Sequence, residues 1–119
     1  MTNAREPTMS VDELQANAKR HLWMHFSQLS QFAEREVPLI MRGEGCYVWD
    51  HHDNKKLDGL SGLFTVQIGH GRRRLAHAAA AQAGTLGYFP IWSYAHPPAI
   101  ELATTLADLA PGDLNRVFF

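Results

Sequence analysis

Hydrophobic and polar positions change period several times along this chain, and each change marks an element. Ser10, with Glu13 three positions on, fits a capping box and predicts a helix from Val11 to about Arg20 with a modest apolar face at Val11 and Leu14. From His21 to Phe32 the aromatics crowd without regular spacing, which predicts irregular chain pressed onto a surface. Val37–Arg42 reads as a strand, with Pro38 near its start. Gly45–Asp50 alternates Cys46 and Val48 with Tyr47 and Trp49, and after the polar turn 51–54 a short strand covers Lys56–Asp58, so the three strands predict a small antiparallel sheet. Gly43 and Gly45 are expected at positive φ, and Thr65–Ile68 as a further short extended piece. Arg72–Leu86 carries five alanines between Ala76 and Ala81 and predicts a helix stopped at Gly87, its small face suited to close packing. A second helix starts at Pro97-Pro98 and runs to about Leu109, with Ile100, Ala103, Leu106 and Leu109 spaced for one buried face. Arg116–Phe119, after Pro111-Gly112, reads as the opening of a strand, which leads us to expect a longer protein; a C-terminal edge strand is the alternative.

Composition narrows the class without naming a function. At 119 residues and 45% hydrophobic content the chain is at most one domain's worth of globular protein. A net charge of −1 gives no basic excess for nucleic acid. No apolar run approaches the ~18 residues that span a bilayer, and the N-terminus has no apolar signal core. The single cysteine, Cys46, excludes an internal disulfide and suits the cytoplasm.

Candidate chemistry is sparse. His21 and His25 have the i, i+4 spacing of a metal pair on a helix, but no carboxylate or thiol supports them. His51-His52-Asp53 reads as an exposed, solvated turn, so no metal site is expected. Gly69-His70-Gly71 followed by three arginines could hold an anion at a helix start, yet lacks the spacing of a phosphate loop; ordinary strand-to-helix chemistry explains it. Cys46 inside a strand reads as a small core residue, and Ser61 has no histidine or carboxylate at a recognisable offset. Lys19, Lys55 and Lys56 are the only lysines, in a helix and a hairpin where solvation keeps an amine protonated. Aromatics and glycines concentrate in His21–Phe26, Leu60–Phe64 and Tyr88–Tyr94. Such segments build apolar ligand pockets or dimer interfaces; periodicity does not separate the two, and both can hold.

Three phrases carry a resemblance: HLWMHFSQ, then MRGEGCYVWDHHDNKKLDGLSGLFTVQIGHG, then LGYFPIWSYAHPPAIELATTLADLAPGDLNRVFF. Together they resemble the N-terminal part of the class III aminotransferases, nearest the pyruvate-dependent ω-transaminases, across about Ser10–Phe119. The resemblance implies an α/β fold of the pyridoxal-phosphate fold type I, working as a homodimer. Residues 1–36 would be an N-terminal arm and helix, 37–70 the small antiparallel sheet, and 71–119 the start of the large cofactor-binding domain. It implies transfer of an amino group from an ω-amino acid or amine to a keto acid such as pyruvate, with pyridoxal 5′-phosphate as cofactor. The family's catalytic lysine and cofactor ligands would lie beyond Phe119, so no catalytic or cofactor-binding residue is expected in this chain, which alone should be inactive. The positions that carry over are substrate-pocket residues: Phe26 from the arm, Leu63 and Phe64 after the Ser-Gly pair, and Tyr88, Ile91 and Trp92 in the segment reaching the neighbouring subunit's site. His25 stands where the family often has proline, Asp53 where glycine is usual, and Ile91 where an aromatic is frequent; the last shifts the expected pocket shape. Two other readings stand beside this one: a non-catalytic dimerisation fragment, and a relative with glutamate-semialdehyde aminomutase chemistry.

Overall fold

A computed structural model describes residues 8–119; the loose arm expected at 1–9 lies outside the described residues except for its last two. The chain divides into two compact units, Met1–Arg72 and Arg73–Phe119.

In the first unit, helix α1 spans Val11–His21 and opens on the expected capping box. The Glu13 amide donates to Ser10 Oγ at 3.2 Å and the Ser10 amide to Glu13 Oε2 at 2.8 Å, satisfying donors that a helix start leaves free. Asp12 and Glu13 in the first turn and Lys19, Arg20 and His21 in the last complement the helix dipole. Gln15 anchors the helix: its Nε2 donates to the Val37 carbonyl and its Oε1 accepts from the Val37 amide, both at 2.8 Å. Among the described residues of this unit, Val37 and Ala18 are the buried apolar ones.

The predicted sheet forms, with shifted ends. Strands β1 (Ile40–Glu44), β2 (Tyr47–Asp50) and β3 (Lys55–Leu57) pair antiparallel in that order. The first begins three residues later than its apolar pattern suggested, because Val37 gives its backbone groups to Gln15 instead of a ladder. Asp50 organises the turn between β2 and β3. Its Oδ1 accepts from the His52 and Asn54 amides at 3.0 and 2.9 Å, and its Oδ2 takes Lys56 Nζ at 2.8 Å and Asn54 Nδ2 at 3.2 Å. Asp53 sits at φ +59°, a left-handed position that Asp tolerates. On one face the guanidinium of Arg42 lies 3.7 Å from the Trp49 ring centroid and Lys55 Nζ 3.8 Å from that of Tyr47.

Cys46 departs from expectation. It is exposed, in the turn between β1 and β2, because the ladder on β2 begins only at Tyr47. Thr65–Ile68 is a turn and not an extended piece; the amides of Thr65 and Val66 both donate to the Ser61 carbonyl. Gly45 is at φ +56° as expected, whereas Gly43 lies within β1 without positive φ and serves a different need. A Cβ there would fall 2.6 Å from Cγ of His70, so only glycine lets that ring close on the strand.

In the second unit, helix α2 spans Arg73–Thr85 and α3 spans Pro97–Leu109, with Pro97 and Pro98 in its first turn. No residue of Arg73–Phe119 is fully buried. The expected apolar spacing of α3 is present, but Ile100, Leu106 and Leu109 remain exposed, and the alanines of α2 are uncovered too. A period sets which face is apolar; a partner element must still cover it. Gly87 follows the end of α2 without positive φ, so the left-handed stop expected there does not form. Residues 114–119 run without strand pairing among the described residues.

Candidate functional site

Asp58 begins the candidate site in the first unit. Its amide donates to the Cys46 carbonyl at 2.9 Å, which extends the hairpin by one rung. Its carboxylate then takes two donors: the Gly62 amide at 3.1 Å on Oδ1 and His70 Nε2 at 2.8 Å on Oδ2. The Gly62 amide, followed by His70, holds the Asp58 carboxyl below its ordinary pKa, since both favour the charged form. His70 is fixed from its backbone as well. It forms an antiparallel bridge with Gly45, donating to the Gly45 carbonyl at 2.8 Å and accepting from its amide at 3.1 Å. One carboxylate therefore ties the hairpin's end, the Ser-Gly segment and Gly69-His70-Gly71 together.

Between those ties, Ser61, Gly62, Leu63 and Phe64 all have positive φ, from +50° to +66°, forming a left-handed turn. A left-handed residue with a Cβ costs about 1–2 kcal/mol, so Ser61, Leu63 and Phe64, the three of the four that carry one, store strain that the surroundings must hold. The holding bonds are the Phe64 amide to the Leu60 carbonyl, the Thr65 amide to the Ser61 carbonyl, Thr65 Oγ1 to the Gly62 carbonyl, each at 2.9 Å, and Gln67 Nε2 to the Phe64 carbonyl. The turn presents Leu63 and Phe64 outward, 64% and 69% exposed. Phe26, also at positive φ (+54°), projects fully into solvent from the segment after α1.

The other three predicted residues stand in the second unit, around a cavity of about 720 Å³. Tyr88, Ile91 and Trp92 line it, with Pro90, His96 and Phe118 among their neighbours. Trp92 is 91% exposed, while Phe89 and Tyr94 pack edge to face at 5.2 Å. Pro90 keeps this stretch out of helix. Thus Leu63 and Phe64 come together on one turn, and Tyr88, Ile91 and Trp92 around one cavity.

None of the three lysines occupies a desolvated site. Lys56 is paired to Asp50, Lys55 lies over Tyr47, and Lys19 is exposed on α1. The described residues thus do not fit the attachment of pyridoxal phosphate, which needs an amine freed of its proton by burial. Gly69-His70-Gly71 offers little to an anion either, because the amides of Gly69 and His70 are already given to the carbonyls of Val66 and Gly45.

The histidines rearrange more than their spacing foretold. α1 ends at His21, so His25 does not share a helical face with it. His51, expected in an exposed turn, has only 5% of its side chain exposed. Its Nε2 lies 3.2 Å from Glu36 Oε2, and His52 Nε2 lies 2.8 Å from the same oxygen. Glu36 stands fifteen residues upstream, outside any local motif, so sequence reading could not couple it to the His-His pair. Both rings, His52 first, hold the Glu36 carboxyl below its ordinary pKa.

Known proteins share this framework. The sequence profile for "Aminotransferase class-III" matches residues 31–119. A probable aminotransferase of Mycobacterium tuberculosis is 54% identical over 97% of this chain, and the putrescine–pyruvate aminotransferase of Pseudomonas aeruginosa is 37% identical over 98%. Among solved structures, an (S)-enantioselective ω-transaminase from Thermomicrobium roseum superposes with a TM-score of 0.80 at 40% identity, covering 93% of this chain. The chain spans about a quarter of the length of each, 25%, 26% and 25% respectively. A profile match over most of its length, with the same backbone in a transaminase, leads to one conclusion: the chain belongs to the class III aminotransferases, a family of pyridoxal-phosphate enzymes built on fold type I.

Proposed function

We propose that the protein carrying this chain moves an amino group from an ω-amino acid or amine to a keto acid such as pyruvate, and that this chain contributes walls of the donor pocket. The observation that carries the reading is the strained turn at Ser61–Phe64, which holds Leu63 and Phe64 outward as apolar surface on a hydrogen-bonded frame. Apolar side chains left exposed on ordered, irregular backbone are what a small-ligand pocket is assembled from. The 37% identity to a putrescine–pyruvate aminotransferase over 98% of this chain supports the choice of amine donor and keto acid acceptor.

In this reading Phe26, Leu63, Phe64, Tyr88, Ile91 and Trp92 set the size and shape of the amine accepted. Pyridoxal phosphate, when bound by the family's enzymes, supplies the electron sink that lets an amino group leave one carbon and join another. The present residues exclude water from one side of the donor and orient its carbon chain. Without a desolvated lysine the chain does not transaminate by itself. It works within a cytoplasmic homodimer, in keeping with a lone exposed cysteine and with the uncovered apolar residues of the second unit.

The test is substrate profiling of the full-length enzyme. Pyruvate-dependent conversion of ω-amino acids or aliphatic amines is expected, and its absence would remove the assigned reaction. Phe64→Ala should change kcat/KM between a short and a bulky amine by about tenfold, the worth of one or two methylenes in an apolar pocket. An unchanged ratio across the series would take Phe64 out of the wall.

A further inference from the structure

Glu36, His51 and His52 belong to no part of the amino-transfer reading, yet their ligand atoms all lie within 4.8 Å of one another. We propose that these three side chains bind one divalent transition-metal ion, Zn²⁺ foremost, and so fasten the segment before β1 to the turn between β2 and β3. The donor set is two imidazole nitrogens and a carboxylate oxygen, the combination that Zn²⁺ takes in three-ligand sites with a fourth position left to water. Imidazole also selects Zn²⁺, Ni²⁺ or Cu²⁺ over Mg²⁺ and Ca²⁺, which require mainly oxygen.

The geometry is close to what coordination needs. Ligands about 2.0–2.1 Å from a tetrahedral ion stand about 3.3–3.4 Å apart. Glu36 Oε2 lies 3.2 Å from His51 Nε2 and 2.8 Å from His52 Nε2. These two sides open to coordination distances by a few tenths of an ångström, and Glu36 and His52 are 62% and 56% exposed and so free to adjust. His51 supplies the fixed point: it is buried, its ring stands 4.1 Å from that of His52, and Gln15 Nε2 lies 3.4 Å from its Nε2. Gln15 also holds the Val37 backbone, so the residue next to Glu36 is anchored before any ion arrives.

The same geometry limits affinity. A ligating histidine usually gives its other ring N–H to a carboxylate or carbonyl, but His51 Nδ1 is buried and has no partner among the described residues. When Nε2 turns to the metal, the proton moves to Nδ1 and stays unpaired. That places binding about 10–100-fold below a fully supported site.

Isothermal titration of the purified protein with Zn²⁺ near neutral pH, with Mg²⁺ as the comparison, tests the proposal. One Zn²⁺ per chain is expected, with no heat from Mg²⁺. Because His51 is buried and its loss could unfold the hairpin, the variants are the exposed ligands: Glu36→Gln and His52→Gln should each weaken Zn²⁺ binding at least about tenfold. His21→Ala/His25→Ala should leave it unchanged. Absence of saturable Zn²⁺ binding overturns the proposal, as does binding that survives the Glu36→Gln/His52→Gln pair.

Discussion

Two residues act in this chain by what they lack or what they hold. Gly43 lacks a Cβ where one would stand 2.6–2.9 Å from three atoms of the His70 ring. Gly43→Ala is therefore expected to destabilise the protein by about 1–3 kcal/mol, the range for forcing an extra methyl into filled space. Gly59→Ala, where a Cβ meets nothing within 4 Å, is the control and should be near neutral in the same thermal unfolding measurement. Asp50 acts by holding charge. Lys56 first, then the Asn54 and His52 donors, keep its carboxyl far below the ordinary range against the opposing effect of burial. A carboxyl whose folded pKa is depressed adds stability that is complete above its unfolded value, about 3.9, and fades as pH falls toward the folded value. Acid unfolding followed by circular dichroism should thus show stability dropping below about pH 4, with a shallower drop in Asp50→Asn. Asp53 could be noticed as standing where the resembling family usually has glycine, but nothing marked Asp50 as the buried one, since that depends on four donors converging in space.

Elements separate cleanly into those legible from pattern and those not. The capping box, the three strands and the Pro97-Pro98 helix start could be read because each is decided by residues within a few positions. The turn at Ser61–Phe64 could not. Its apolar, glycine-punctuated spelling showed that something unusual was required, but four successive positive φ values arise from Asp58 and Leu60 gripping it from outside. The strain leads to an expectation. In Leu63→Gly the left-handed cost of about 1–2 kcal/mol disappears, offset by about 0.5–1 kcal/mol of chain entropy. The variant should unfold at equal or slightly higher temperature while discriminating poorly among amines. A large fall in melting temperature would mean that Leu63 packs where the structure leaves it exposed. Stability and selectivity moving in opposite directions is the signature of a site that holds its shape at a cost.

For the whole molecule, apolar spacing on α3 and the small face of α2 were legible, and their burial was not. Ile100, Leu106 and Leu109 carry the right period yet stay exposed, because what covers a face is set by chain that the face itself does not encode. The same limit applies to the pocket. The resemblance implied six wall residues; the structure groups Leu63 with Phe64 on one turn and Tyr88, Ile91 and Trp92 around one cavity, and leaves Phe26 by itself in solvent. None of the three lysines of this stretch stands in a dry site: Lys56 is paired to Asp50, Lys55 lies over Tyr47 and Lys19 is exposed.

The bridge between Gly45 and His70 has a bearing on synthesis. It closes the most distant backbone pairing of the hairpin region across only twenty-five residues, and every other rung lies nearer in the chain. Nascent polypeptide leaving the ribosome can therefore complete this ribbon as soon as His70 clears the exit tunnel, without waiting for the helices that follow it in sequence.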